Sequence, residues 1–262
     1  VVVQEARQAG LTPETVRIKL KEKLQLYVLD FIYNNPKYNQ LIFYGGTCLR
    51  ICFGLNRLSE DIDFESTKPF DKEIFAKEIK DYFKKNIRHE PVEMRVPGKN
   101  IGRVELKFPL LRTLGLSTHE SENLIVKVEV HQTENHYPTE LKTVSEDRFS
   151  LVIRHYDLPT LMSGKMIACL ERVWEKRGVK VKGRDYYDLI WYMQKGILPN
   201  AARLADTERH YTVHGAFEEL KKKVNDIRPA DLAADLSVLF EKAEFPQVWA
   251  KGFLQQFMSL YL

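Results

Sequence analysis

Leu41-Ile42-Phe43-Tyr44-Gly45-Gly46-Thr47-Cys48-Leu49 and, a short helix later, Arg57-Leu58-Ser59-Glu60-Asp61-Ile62-Asp63-Phe64-Glu65 decide how this chain is read. The apolar run 41–44 has the length and composition of a buried strand, and it runs straight into two glycines. A helical stretch from Cys48 to about Phe53 follows. The second block then alternates acidic and apolar residues. Period two places Asp61, Asp63 and Glu65 on one face of a strand and Ile62 and Phe64 on the other.

Each half of this pattern is weak alone. A glycine pair between strand and helix lets the backbone approach a phosphate and present N–H groups at a helix start, but tight turns use the same residues. Two carboxylates on one strand face repel each other, and a divalent cation with hard-oxygen preference removes that cost, yet a solvated edge strand shows the same residues. Together they describe a phosphate cradle a short distance before a metal-binding strand, which is what a nucleoside triphosphate requires. Two-metal chemistry asks for a third carboxylate. Glu129 is the choice, mid-strand between Val128 and Val130; Glu105 and Glu65 are its rivals.

Outward from this centre, Thr12-Pro13 reads as an N-cap with a first-turn proline. A helix follows from Glu14 to about Tyr33, stopped at Asn34-Asn35-Pro36. Residues 72–85 form a further helix, and strands are expected at 92–95, 103–110 and 124–131. In the last, Val126, Val128 and Val130 face one way, Lys127, Glu129 and His131 the other. From Pro159 the text becomes helical, over roughly 160–177, 185–195, 214–225, 229–242 and 246–260. The expected fold class is α+β. A small mixed sheet flanked by helices fills a domain over residues 1–150, and a helical domain over 151–262 follows.

Lys165 lies between Met162, Met166 and Cys169 in an otherwise apolar stripe, where a lysine either snorkels or points into a cleft. Pairing with Asp185 across a loop favours the cleft. Lys176, Arg177, Lys180, Lys182 and Arg184 put five positive charges into nine residues, either a solvated loop or an electrostatic guide for a triphosphate or RNA backbone. His131 and His136 are read as surface residues, because their spacing over a polar loop is poor ligand geometry. Trp249, Phe253 and Phe257 recur at helical spacing and are expected in the core.

Composition excludes more than it selects. In 262 residues, 44% are apolar and 29% charged, ordinary for a globular chain, and 40 basic against 36 acidic residues leave only +4. Three cysteines, Cys48, Cys52 and Cys169, read as reduced thiols in a core rather than a disulfide framework or metal site. No apolar run approaches the ~18 residues of a membrane span, and no signal-peptide pattern opens the chain. The cytoplasm is the expected location.

The blocks 44–49 and 57–64 resemble the signature of the AbiEii/MenT-like nucleotidyltransferases, toxins of bacterial toxin–antitoxin systems within the DNA polymerase β-like superfamily. The resemblance continues at Lys165 with Arg172, and at Arg184-Asp185-x-x-Asp188-Leu189. It implies that Asp61 and Asp63 hold Mg2+, with Mn2+ as an alternative, and that Glu129 is a third metal ligand. It places Gly45, Gly46, Thr47, Arg57, Ser59, Lys165 and Arg172 on the nucleotide, and has Asp185 orient the active-site lysine or the nucleotide. The third carboxylate is often aspartate in the superfamily, whereas Glu129 has the longer side chain. The implied reaction is transfer from an NTP to the 3′ end of tRNA with loss of pyrophosphate, blocking translation, with a cognate antitoxin as partner and no membrane. The alternatives are a protein or small-molecule acceptor, or a nucleotide-binding module without transfer.

Overall fold

The computed structural model describes residues 2–86, 93–96, 102–173, 175, 179 and 181–261. It divides into two compact units, Val1–His155 and Tyr156–Leu262.

The first unit opens with helices α1 (Val2–Gln8) and α2 (Pro13–Tyr33), the latter capped as its sequence requires: the Thr12 hydroxyl accepts from the Thr15 N–H at 3.2 Å. Then come strand β1 (Ile42–Tyr44), α3 (Gly45–Phe53), β2 (Ile62–Ser66), α4 (Lys72–Asn86), β3 (Glu93–Arg95), β4 (Gly102–Phe108) and β5 (Leu124–Gln132). The hairpin β6 (Thr139–Glu146) and β7 (Phe149–Tyr156) completes a seven-stranded mixed sheet of order β3-β4-β5-β2-β1-β7-β6. The fold class is as expected, and three elements, α3, β6 and β7, differ from the sequence reading. Helix α3 begins at Gly45 rather than Cys48. Residue 92 of the expected 92–95 strand lies outside the described residues. Strands β6 and β7 have no counterpart in the sequence reading. Residue 150, the expected domain limit, lies within β7, whose parallel pairing with β1 at Phe43–His155 ties it into the first unit.

One sheet face is apolar. Val104, Leu106, Phe108, Val126, Val128, Ile62 and Phe64 are buried there, and Phe83 of α4 stacks edge-on to Phe108. Burying the alternate residues of β4, β5 and β2 leaves their partners on the opposite face. Register sets those partners side by side: Arg103 opposite Glu129, Glu129 opposite Asp63, and Asp63 opposite Tyr44.

The second unit is helical: α5 (Leu158–Glu171), α6 (Gly183–Gln194), α7 (Ala201–Ala205), α8 (Val213–Asn225), α9 (Pro229–Leu236), a 3-10 turn at Ser237–Leu239, and α10 (Phe245–Leu260). Asp157 caps α5, accepting from the Thr160 N–H at 2.9 Å. Helix α5 stops at Glu171, short of the expected residue 177. Arg172 has already turned to extended backbone, with ψ 119°. Trp249, Phe253 and Phe257 are core, as expected, and all three cysteines are free and buried.

Candidate functional site

The first unit builds its site where α3 meets β2. Gly45 stands at φ +78°, and a Cβ there would come within 2.7 Å of the Asp63 Oδ2. Two requirements thus select glycine: a left-handed backbone and the close approach of a carboxylate. At Gly46 a Cβ would collide with the Arg57 guanidinium. The glycine pair is therefore the floor on which the Asp63 carboxylate and the Arg57 guanidinium rest.

The loop carrying Arg57 and Ser59 is held from α2. Glu22 accepts from the Ser59 N–H at 3.1 Å and pairs with Arg50 at 3.1 Å, while the Gln25 amide donates to the carbonyls of Ser59 (3.1 Å) and Glu60 (2.9 Å). Burial raises the Glu22 carboxyl above its ordinary range, with Arg50 opposing. Arg57 is buried and donates to the Leu58 carbonyl at 3.0 Å. Thr47 is buried, its hydroxyl 2.8 Å from Ser59 Oγ and against the Asp61 carbonyl. These two hydroxyls lock the turn to the start of β2. Glu22 and Gln25 were missed by the sequence reading, since on α2 they are two polar residues among many.

On the sheet face, Asp61 is 41% exposed, with Lys127 at 3.9 Å. Glu129 is paired with Arg103 at 2.6 Å and lies 3.8 Å from His131 Nε2. The nearby His131 imidazole holds the Glu129 carboxyl below its ordinary range; burial opposes and Arg103 adds to the lowering. The same proximity raises His131, against its own desolvation. His131 is thus no isolated surface residue: half-buried and edge-on to Tyr44, it shares the face with Glu129. The period-two argument that put Glu129 and His131 on one face could have found it. Among the described residues, no group of three His, Cys, Asp or Glu side chains is already arranged about a common metal position.

The second unit carries a different cluster. Lys165 bridges Asp185 (2.8 Å) and Asp188 (2.9 Å), and Arg172 reaches the other oxygen of Asp185 at 2.5 Å. Asp185 and Asp188 lie one turn apart on α6, so a single lysine can serve both. Asp188 belongs to the quoted motif but was given no site role; it is fully buried. Burial pushes the Asp185 carboxyl up, but Lys165, then Arg172 and Lys182, outweigh it and hold the carboxyl below its ordinary range. Arg184 is no free surface charge. Its N–H and guanidinium bind Asp235 of α9 at 3.0 and 3.1 Å, which also supplies the cap that α6 lacks at Lys182. Lys176, Arg177 and Lys180 of the basic run lie outside the described residues.

A family model described as "Nucleotidyl transferase AbiEii toxin, Type IV TA system" matches residues 28–261. No curated protein matches the sequence. Among solved structures, JHP933 from Helicobacter pylori is similar at 18% identity and TM-score 0.55, over 93% of this chain and 91% of that one. A second H. pylori protein, provisionally described as a nucleotidyltransferase, is similar at 18% identity and TM-score 0.54, over 92% and 93%. At that identity the two structures speak to the fold. No helix among the described residues is long and apolar enough to cross a membrane.

Proposed function

The chain belongs to the AbiEii nucleotidyltransferase toxin family of type IV toxin–antitoxin systems, and from that premise we propose that it moves a nucleotidyl group from an NTP to the 3′ end of tRNA in a Mg2+-dependent reaction. Pyrophosphate leaves, aminoacylation is blocked, and translation stops. A cognate antitoxin and a cytoplasmic location go with this reading.

The observation that carries it is the seating of the Asp63 carboxylate against Gly45, with the Arg57 guanidinium over Gly46. The metal-binding carboxylate and the cation for the phosphates thereby share one glycine turn at the start of α3, where backbone N–H groups favour anions.

The donor set fits a hard divalent cation: Asp61 and Asp63 offer carboxylate oxygens two residues apart, and Glu129 is in register with Asp63 on the adjacent strand. Mn2+ fits the same oxygens. When bound, the cation neutralises charge at the α-phosphate and acidifies the acceptor hydroxyl. Asp63 and Asp61 hold it, while Glu129 is shared with Arg103 and is the weakest of the three. Gly45 and Gly46 let the Asp63 carboxylate and the Arg57 guanidinium close onto the backbone that would cradle the triphosphate, and Thr47 and Ser59 fix the turn that shapes it. Lys165 and Arg172 supply positive charge for the triphosphate, with Asp185 setting the position of both.

The test incubates the full chain with total tRNA, Mg2+ and each α-labelled NTP in turn, beside Asp63→Ala. Labelled tRNA from the wild type alone is the expected result, with a loss in the variant of about 10²–10³-fold, the scale of removing a transition-state electrostatic group. Absence of label from tRNA, with NTP still bound, overturns the tRNA acceptor.

A further inference from the structure

The second unit contains a cavity of about 240 Å³ lined by Arg172, Lys182, Asp185, Tyr186, Lys223 and Asp226, among others. Clefts that bury whole small-molecule ligands run to roughly 300–1,000 Å³, so this one admits a group rather than an entire nucleotide. Three cations face it, and they are differently committed. Arg172 is tied to Asp185 at 2.5 Å. Lys223 donates to the carbonyls of Cys169 (2.9 Å) and Leu170 (2.7 Å), at the C-terminal end of α5 where a cation is favoured. Lys182 is half-buried, yet its ammonium makes no hydrogen bond or ion pair among the described residues.

We propose that this recess binds a phosphate group, with Lys182 as its principal ligand and Arg172 and Lys223 as supporting cations. An ammonium withdrawn from water without a direct counter-ion is costly, and an anion in the cavity removes that cost. Desolvation lowers the Lys182 pKa; Asp185 opposes, and the charges of Arg172, Arg184 and Lys165 lower it further, as expected of a site waiting for negative charge. The aspartates do not cancel the attraction. Asp185 is already neutralised by Lys165 and Arg172, and Asp226 is exposed to solvent. The phosphate can come from the NTP or from the RNA backbone. That choice of source rests on the proposed nucleotidyl transfer, whereas phosphate binding itself does not.

The experiment titrates the full chain with inorganic phosphate, with NTP and with total tRNA, comparing wild type, Lys182→Met and Lys182→Arg. The expected result is phosphate binding weakened at least tenfold in Lys182→Met, at an unchanged unfolding midpoint, and largely retained in Lys182→Arg. A parallel loss for NTP identifies a triphosphate subsite. A parallel loss for tRNA, with the salt slope reduced by about 0.7–0.9, identifies one backbone contact. Equal affinities of wild type and Lys182→Met for all three ligands overturn the proposal. Should Lys182→Met fail to fold, amine acylation of wild-type Lys182 decides: saturating phosphate slows it at least threefold, and an unchanged rate overturns the proposal. Neither readout requires nucleotidyl transfer, so failure of the transfer reaction and failure of this recess are distinguishable.

Discussion

Both units place aspartates among cations, but they solvate them in opposite ways. On the sheet of the first unit, Asp61 is 41% exposed, and its nearest cation, Lys127, stands at 3.9 Å. On α6 of the second unit, Asp185 and Asp188 are buried and saturated by Lys165 and Arg172 at 2.5–2.9 Å. Carboxylates with water on one side and incomplete neutralisation can accept a metal ion at little cost. Buried, fully paired carboxylates hold something in place. The second cluster thus holds Lys165 in place, whereas Asp61 in the first keeps water on its carboxylate. Similar residue types do different work because burial decides what a charge can still bind.

The largest expected effect strikes the buried cluster. Lys165→Met removes the cation that bridges two buried carboxylates, and breaking such a pair costs about 3–5 kcal/mol. Chemical denaturation should show that loss, whereas Asp61→Asn should shift stability by no more than about 0.5 kcal/mol. Equal losses in the two would erase the contrast. The pH dependence sharpens it. Because the folded Asp185 carboxyl lies below its ordinary range, its stabilisation is complete above the unfolded value of about 3.9 and is lost as the pH falls through the lower folded value. Acid unfolding of the wild type should thus include a component that Asp185→Asn lacks.

The next effect tests the glycine floor of the open site. Gly45→Ala introduces both left-handed strain and a clash with Asp63, at a cost of about 1–3 kcal/mol. In an Asp63→Ala background only the strain remains, so the two substitutions should be non-additive by about 0.5 kcal/mol or more. Additive losses would mean that Asp63 does not rest on Gly45, and the close approach inferred for the site would be wrong.

The sequence yields its local chemistry more readily than its pairings. The strand–glycine–helix turn, the alternation along β2 and along β5, the Thr12 cap and the aromatic core of α10 all follow from period, cap and turn residues. The hairpin β6–β7 does not. The outer strand β6 is an edge strand whose residues are mostly exposed, so it lacks the apolar alternation that marks β5. Arg172 was expected inside a longer helix because residues 172–177 retain helix-forming composition, and only tertiary context turns the chain at that point. The partners of the functional groups were least accessible: Asp188 on Lys165, Asp235 on Arg184, and Glu22 and Gln25 on the Ser59 loop are contacts across elements that no local spacing encodes.

The smallest effect concerns the residue that stands between the two kinds of site. Glu129 faces the open sheet, yet it is already paired with Arg103 at 2.6 Å, and both partners retain solvent contact. Glu129→Gln should therefore cost only a few tenths to about 1 kcal/mol, as for other partly exposed pairs. Its influence should appear in the metal requirement. If Glu129 leaves Arg103 to bind the ion, the variant needs more Mg2+ to reach half-maximal transfer. If it stays with Arg103, the Mg2+ requirement is unchanged, Asp61 and Asp63 carry the ion with water, and Glu129 belongs with Asp185 among the carboxylates that position a cation. The variant should also release His131, whose pKa is raised chiefly by the neighbouring Glu129 carboxylate. A downward shift of the His131 titration, followed by NMR, would confirm that the substitution reached its target even where transfer is unchanged.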